Sequence, residues 1–353
     1  VNIFKGAPQI KWPLEAEDNY LRRVRAEFNQ QIESRLVSTD GSARRRAGDL
    51  YIEPVLSARE SRVQAEITTT GTWNELVTAE TFRGLLIGDP HDGKSLFLMK
   101  IAHDLALRAL EAESEENREL PVYMSVSRFP SADAANAELL LAIAAYTSGQ
   151  SFESFQSTWL EGNRRITLLI DDVDLLPADE QDAFVNAVGL LSGSLGDRHS
   201  LVIACRSGVG QDSLKNKLAR ALRSDSQDTE WVILPLTPDR VMALLDRYGA
   251  AEWLRKLVAE DKGLGVLVNR PGTLSALVRA TEGLSAIKAP QNMAQLYQLF
   301  IDGHLFKRNE NQVFDYRRAK QPLLSYLAFR LLETRQNSLE IDDVLYRDIV
   351  HRL

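Results

Sequence analysis

Residues 88–95 read Gly-Asp-Pro-His-Asp-Gly-Lys-Ser, the spacing G-x-x-x-x-G-K-[ST]. Each fixed position has a physical duty toward a chain of phosphates. Gly88 and Gly93 let the backbone bend until successive N–H groups converge on anionic oxygens. A helix starting at Lys94 adds its positive N-terminal end. Lys94 reaches toward the β- and γ-phosphates, and the Ser95 hydroxyl is an oxygen ligand for Mg²⁺. Asp89, Pro90, His91 and Asp92 fill the bend and Leu96 follows it, so residues 88–96 form the candidate nucleotide-binding segment. The side chains of His91 and Asp92 are expected to point outward.

A second cluster with chemistry in it begins at Ile166. Ile166-Thr167-Leu168-Leu169-Ile170 is apolar but for one threonine and ends in Asp171-Asp172-Val173-Asp174. A carboxylate at such a strand end binds Mg²⁺ directly or through water, which assigns Asp171 together with Ser95 to the metal. A further carboxylate orients or deprotonates the attacking water. Asp172 is the first choice and Asp174 the alternative, unless Asp174 instead caps the helix that follows. The strand is expected to lie directly beside the phosphate loop. Another apolar stretch, Leu201 to Ala204, leads through Cys205 to Arg206, whose guanidinium can meet a γ-phosphate or serve only as a surface salt bridge. Guanine is usually read by N-K-x-D; Asn216-Lys217-Leu218-Ala219 lacks the acid, which favours ATP.

These residues need a frame. Strands are expected at 82–87, 122–126, 166–170, 201–204 and 231–234, with helices at 96–110 and 138–146 and a third carrying Phe184, Ala187, Val188 and Leu191. The alternation specifies an α/β, doubly wound parallel sheet. After Pro235 the pattern turns helical, at 240–247, 252–259 and 273–280, and stays helical over 292–353. The organisation expected is a lead-in or linker at 1–75, a phosphate-binding domain at 76–236, a small helical domain at 237–290 and a further helical region at 291–353. Leu21-Arg22-Arg23-Val24-Arg25 sits in a helix-like stretch, Arg44-Arg45-Arg46 reads as an exposed loop, and residues 51–56 read as a short extended segment.

Bulk properties exclude several classes. At 353 residues the chain exceeds one compact core. A net charge of −7 provides no global basic surface for nucleic acid. Cys205 is the single cysteine, so no intrachain disulfide forms, and a cytoplasmic location is expected. No apolar run approaches the roughly 18 residues of a membrane helix. The chain opens on Val1 rather than Met, which is expected of a segment from a longer protein or of one that follows a removed tag.

Taken together, GDPHDGKS after a strand, LLIDDVDLLP at 168–177, Arg206 at a strand tip and Asn269-Arg270-Pro271-Gly272-Thr273-Leu274 resemble the STAND class of P-loop NTPases, most closely the NACHT family. The Asp-Asp-Val run is similar to the related NB-ARC family. Asp172 occupies a position usually held by a small residue, and Leu175 replaces a usual acid. The resemblance implies that Pro271 packs against adenine, although a proline there also starts a helix. It implies a winged-helix-like region at 291–353, ATP/ADP exchange with Mg²⁺ and slow hydrolysis. It implies self-oligomerisation on activation, a trigger sensed by a domain outside this segment and a covalently linked effector. Two other readings are an AAA+ ATPase of the initiator or loader type, whose strand end usually reads Asp-Glu, and a nucleotide-clamped scaffold.

Overall fold

The computed structural model describes residues 14–36, 50–62, 65–77, 81–114, 118–126, 137–160, 164–195, 198–207, 212–222 and 229–305. Arg44-Arg45-Arg46, expected as a loop, and most of the expected winged-helix-like region lie outside them. In chain order the elements are α1 (Leu14–Leu36), β1 (Leu56–Arg62), β2 (Ala65–Gly71), α2 (Trp73–Leu76), β3 (Arg83–Gly88), α3 (Lys94–Glu111) and β4 (Glu119–Ser125). There follow α4 (Ala137–Ser148), α5 (Phe152–Phe155), β5 (Arg165–Asp171), α6 (Ala178–Leu195), β6 (Ser200–Arg206), α7 (Asp212–Leu222) and β7 (Thr229–Ile233). The last helices are α8 (Pro238–Arg247), α9 (Glu252–Glu260), α10 (Lys262–Leu267), α11 (Pro271–Thr281) and α12 (Met293–Leu305).

The chain divides into two units, Val1–Ala251 with Val268–Ser275, and Glu252–Leu267 with Ala276–Leu353. The first is built on a seven-stranded sheet in the order β2-β1-β7-β3-β6-β5-β4. The strands from β7 to β4 run parallel. Their apolar residues sort by the two-residue period of a strand. Leu85, Ile87, Leu168, Ile170, Leu201 and Ile203 enter one core with Phe184, Val188 and Leu191 of α6 and Leu214 and Leu218 of α7. Leu86, Leu169, Val202 and Ala204 enter the other with Phe97, Leu98, Ile101 and Leu105 of α3. Burial on both faces is why these strands read as continuous apolar runs.

Three expectations are corrected here. Residues 1–75 are not simply a lead-in: Tyr20 and Leu21 of α1 belong to the main core, and β1 and β2 extend the sheet. Both pair antiparallel, so the sheet is mixed rather than wholly parallel. Beyond the sheet, α8 and residues 268–275 count with the first unit, not with a helical domain beginning at 237. Arg240 donates to the Glu53 carbonyl at 2.8 Å and Arg247 to the Tyr51 carbonyl at 2.6 Å. In the second unit Trp253 Nε1 donates to the Leu284 carbonyl at 3.0 Å.

The α1 helix is amphipathic around Glu17, which is 1% exposed. Its carboxylate receives a hydrogen bond from Arg164 and lies 3.5 Å from Arg118. Leu21, also 1% exposed, anchors the same face. Leu21→Ala is expected to lower stability by about 2–4 kcal/mol in urea unfolding. Leu14→Ala, at a position 42% exposed, should change it by under about 0.5 kcal/mol. Equal effects would mean that α1 is not part of the core.

His199 sets a pH limit. It is 3% exposed, and its Nδ1 accepts the Ile166 N–H at 3.2 Å, which requires that nitrogen to be unprotonated. Burial, with Arg198 and Arg83 nearby, pulls its pKa down from 6.5 to about 4. Between these values the unfolded chain binds the proton and the native one does not, so stability falls as pH drops through the window. Unfolding midpoints at several pH values should show this slope, and His199→Gln should flatten it between pH 4 and 6.5.

Candidate functional site

The C-terminal tips of four parallel strands meet at one edge of the sheet, where α/β folds place their ligands. Gly88 is level with Arg206 across β3 and β6, and Ser125 with Asp171 across β4 and β5. Contrary to expectation, β5 does not adjoin the strand of the phosphate loop: β6 lies between them. Arg206 therefore stands between the loop and the acidic strand end.

The loop has the bend its glycines foretell. Gly93 has φ 89° and forms the N-cap of α3 with no side chain capping the helix, so the first amides of α3 are left for an incoming anion. A Cβ on Gly93 would meet nothing within 4 Å, so the concavity is open. His91 has φ 72°, a left-handed turn in mid-loop. It is exposed, as expected, whereas Asp92 turns inward and is only 7% exposed. The Asp92 carboxylate accepts the Asp89 N–H, and a Cβ on Gly88 would lie 3.0 Å from its Oδ2. Lys94 Nζ donates to the carbonyls of Gly88 at 2.8 Å and Asp89 at 3.1 Å. Burial pulls the Lys94 pKa down, with Asp174, Asp92 and Asp171 opposing. An anion at the bend would stabilise that charge.

Asp171 is 2% exposed. It accepts from the Tyr123 hydroxyl at 2.9 Å and from the Asp172 N–H at 2.9 Å, and it shares a hydrogen bond with Ser95. Burial pushes its pKa up despite these donors. Ser95 and Asp171 thus offer neighbouring hard oxygen atoms, which fit Mg²⁺, an ion that takes most of its remaining ligands from phosphates and water.

The two other aspartates part company. Asp172 has φ 63°, a conformation that favours glycine and that aspartate tolerates better than most residues. This explains why a small residue suits the position. Its carboxylate accepts from Ser125 Oγ at 2.5 Å and so turns toward β4. Asp174 lies in the short 3₁₀ turn Val173–Leu175 and caps no helix, since α6 begins at Ala178. It is 8% exposed, with Arg206 Nε 2.6 Å from its Oδ2. That contact is an ion pair without the direction of a hydrogen bond, and among the described residues Oδ2 receives no other donor. Burial raises the Asp174 pKa against the pull of Arg206 and Lys94. Of the two candidates, Asp174 faces the loop side of β5.

Sequence reasoning passed over the residues that hold the loop from outside. Ser207 Oγ donates to Asp89 Oδ1, and its N–H donates to the Gly88 carbonyl at 3.2 Å. Arg270 Nη2 bonds to Asp89 Oδ2, and Nη1 donates to the Pro90 carbonyl at 3.1 Å. Gly272 N–H donates to the His91 carbonyl at 3.0 Å, and a Cβ there would stand 2.8 Å from His91 Cβ. Pro271 lies between these two contacts as the first residue of α11. The signal available in the sequence was a doubly acidic phosphate loop with no cation but Lys94.

Residues 84–252 match the family model described as the NACHT domain. No curated protein matches the chain by sequence. Similar solved structures include the Aeropyrum pernix ORC1 protein in complex with DNA, at 15% identity and TM-score 0.40 over 79% of this chain and 78% of that one. The ADP form of the ORC2 protein of the same organism follows at 12% identity and TM-score 0.42, over 79% and 75%. Cdc6p from Pyrobaculum aerophilum gives 15% identity and TM-score 0.36, over 71% and 79%. At these TM-scores nothing about the site follows from them. Loop, strand order and family match together make residues 84–252 a P-loop NTPase domain of the NACHT family.

Proposed function

We propose that the chain is an ATP/ADP-dependent switch of the STAND type, in which nucleotide state controls self-association and, through it, an effector carried elsewhere in a longer protein. The observation that carries this reading is the Arg206–Asp174 pair at the strand tip next to the loop. A γ-phosphate arriving near Lys94 competes with Asp174 for Arg206, so a triphosphate and a diphosphate leave Arg206 with different partners. A two-state contact of this kind lets one phosphate bias a larger equilibrium.

In the same reading Asp174 positions the attacking water. Its Oδ2 is buried and lacks a directed donor, which suits a bound water more than a purely structural ion pair. Ser95 and Asp171 would hold Mg²⁺, which would supply charge neutralisation to the phosphates. Asp172, turned to Ser125, supports the strand end. Pro271 would lie against the base. Cys205 takes no part, because burial pushes its thiol up to about 12. Among the described residues no helix is long and apolar enough to cross a membrane, and the switch is proposed to act in the cytoplasm.

Lys94→Ala is expected to abolish ATP and ADP binding in calorimetry; unchanged affinity would overturn the reading. Asp174→Asn should keep ADP binding and lose about 10²-fold or more in turnover, with Asp172→Asn affected less. Arg206→Ala should retain ADP while its light scattering no longer distinguishes ATP from ADP. Assembly that responds to ATP as in the wild type would count against the switch.

A further inference from the structure

The phosphate loop carries two aspartates, Asp89 and Asp92, in the segment that must hold an anion. Carboxylates a few ångströms from a polyphosphate repel it, and in a partly buried site that repulsion is weakly screened. Lys94 alone does not balance both. The remaining cation comes from far along the chain yet within the same unit, since residues 268–275 belong with the sheet. Arg270 pairs with Asp89 through Nη2 and lies 3.6 Å from Asp92 Oδ1 through Nη1. The same Nη1 holds the Pro90 carbonyl, and Gly272 holds that of His91. Ser207 occupies the other oxygen of Asp89, so this carboxylate is fixed from both sides.

We propose that Arg270 is a positioning residue and built-in counter-ion: by neutralising Asp89 and Asp92 it makes a doubly acidic loop able to accept a polyphosphate. Its guanidinium binds the loop's own carboxylates and carbonyl and acts on the nucleotide through them. The forked geometry suits the task, because one guanidinium serves a carboxylate and a carbonyl at once. The proposal rests on the nucleotide-binding reading above.

The test is ADP binding by calorimetry on the whole chain, across a range of salt, for wild type, Arg270→Gln, Asp89→Asn and the double variant. Arg270→Gln should weaken ADP about tenfold at low salt, with the gap narrowing as salt rises. Adding Asp89→Asn should return affinity to near the wild-type value, because the uncompensated charge is gone. Asp89→Asn alone leaves Arg270 with a surplus charge and should bind ADP more tightly than wild type at low salt, converging at high salt. That last comparison leaves Arg270 in place and holds even where Arg270→Gln fails to fold. An Arg270→Gln variant that binds like wild type, a double variant as weak as Arg270→Gln, or Asp89→Asn indistinguishable from wild type across salt would each overturn the inference. Wild type that binds no ADP would sink the nucleotide reading and the inference with it; an unrescued double variant beside a binding wild type would sink the inference alone.

Discussion

A backbone bend that starts α3 with no side chain capping it is the constraint on which the first unit is built. Unsatisfied helix amides are tolerable only where something anionic or water replaces the missing acceptors. The surrounding structure serves that bend. β3 delivers it to the sheet edge, α3 carries its amides, and contacts from Ser207, Arg270 and Gly272 hold its outer side. The carboxylates at the end of β5 lie one strand further on, with β6 between, so the arginine at the tip of β6 separates loop from acids.

Much of this was legible from local patterns. The five parallel strands were readable because burial on both faces demands apolar runs, and α3 because its buried residues recur at helical spacing. Asp171 and Ser95 were readable because their chemistry is tied to a strand end and a helix start. What escaped is non-local. β1 and β2 have polar, alternating sequences that depend on pairing with β7 for their conformation, so nothing within residues 56–71 marks them as part of this sheet. The proposed preference for Asp174 over Asp172 rests on non-local contacts: Asp172, with φ 63°, bonds to Ser125 on β4, whereas Asp174 lies beside Arg206. The role proposed for Arg270 turns on a contact across 181 positions of chain. The position of β5 was misjudged because strand order is a property of crossovers, which periodicity does not encode.

The cost of the acidic loop is offset by its order. Asp92 occupies the space above Gly88, and Asp89 is fixed by two donors, so the bend is held before any ligand arrives. A pre-set bend loses less freedom on binding than a floppy one.

That arrangement also dictates when the site can exist. β3 pairs with β6 and β7, both more than a hundred positions later, and the loop gains its arginine later still. Closing such long loops delays pairing until the distant partners are present. On a ribosome the bend emerges early but stays incomplete, its strand unpaired and its acids unneutralised, until residues 268–275 have left the exit tunnel. On the proposed role of Arg270, a chain truncated short of α11 would hold a nucleotide more weakly than the completed first unit.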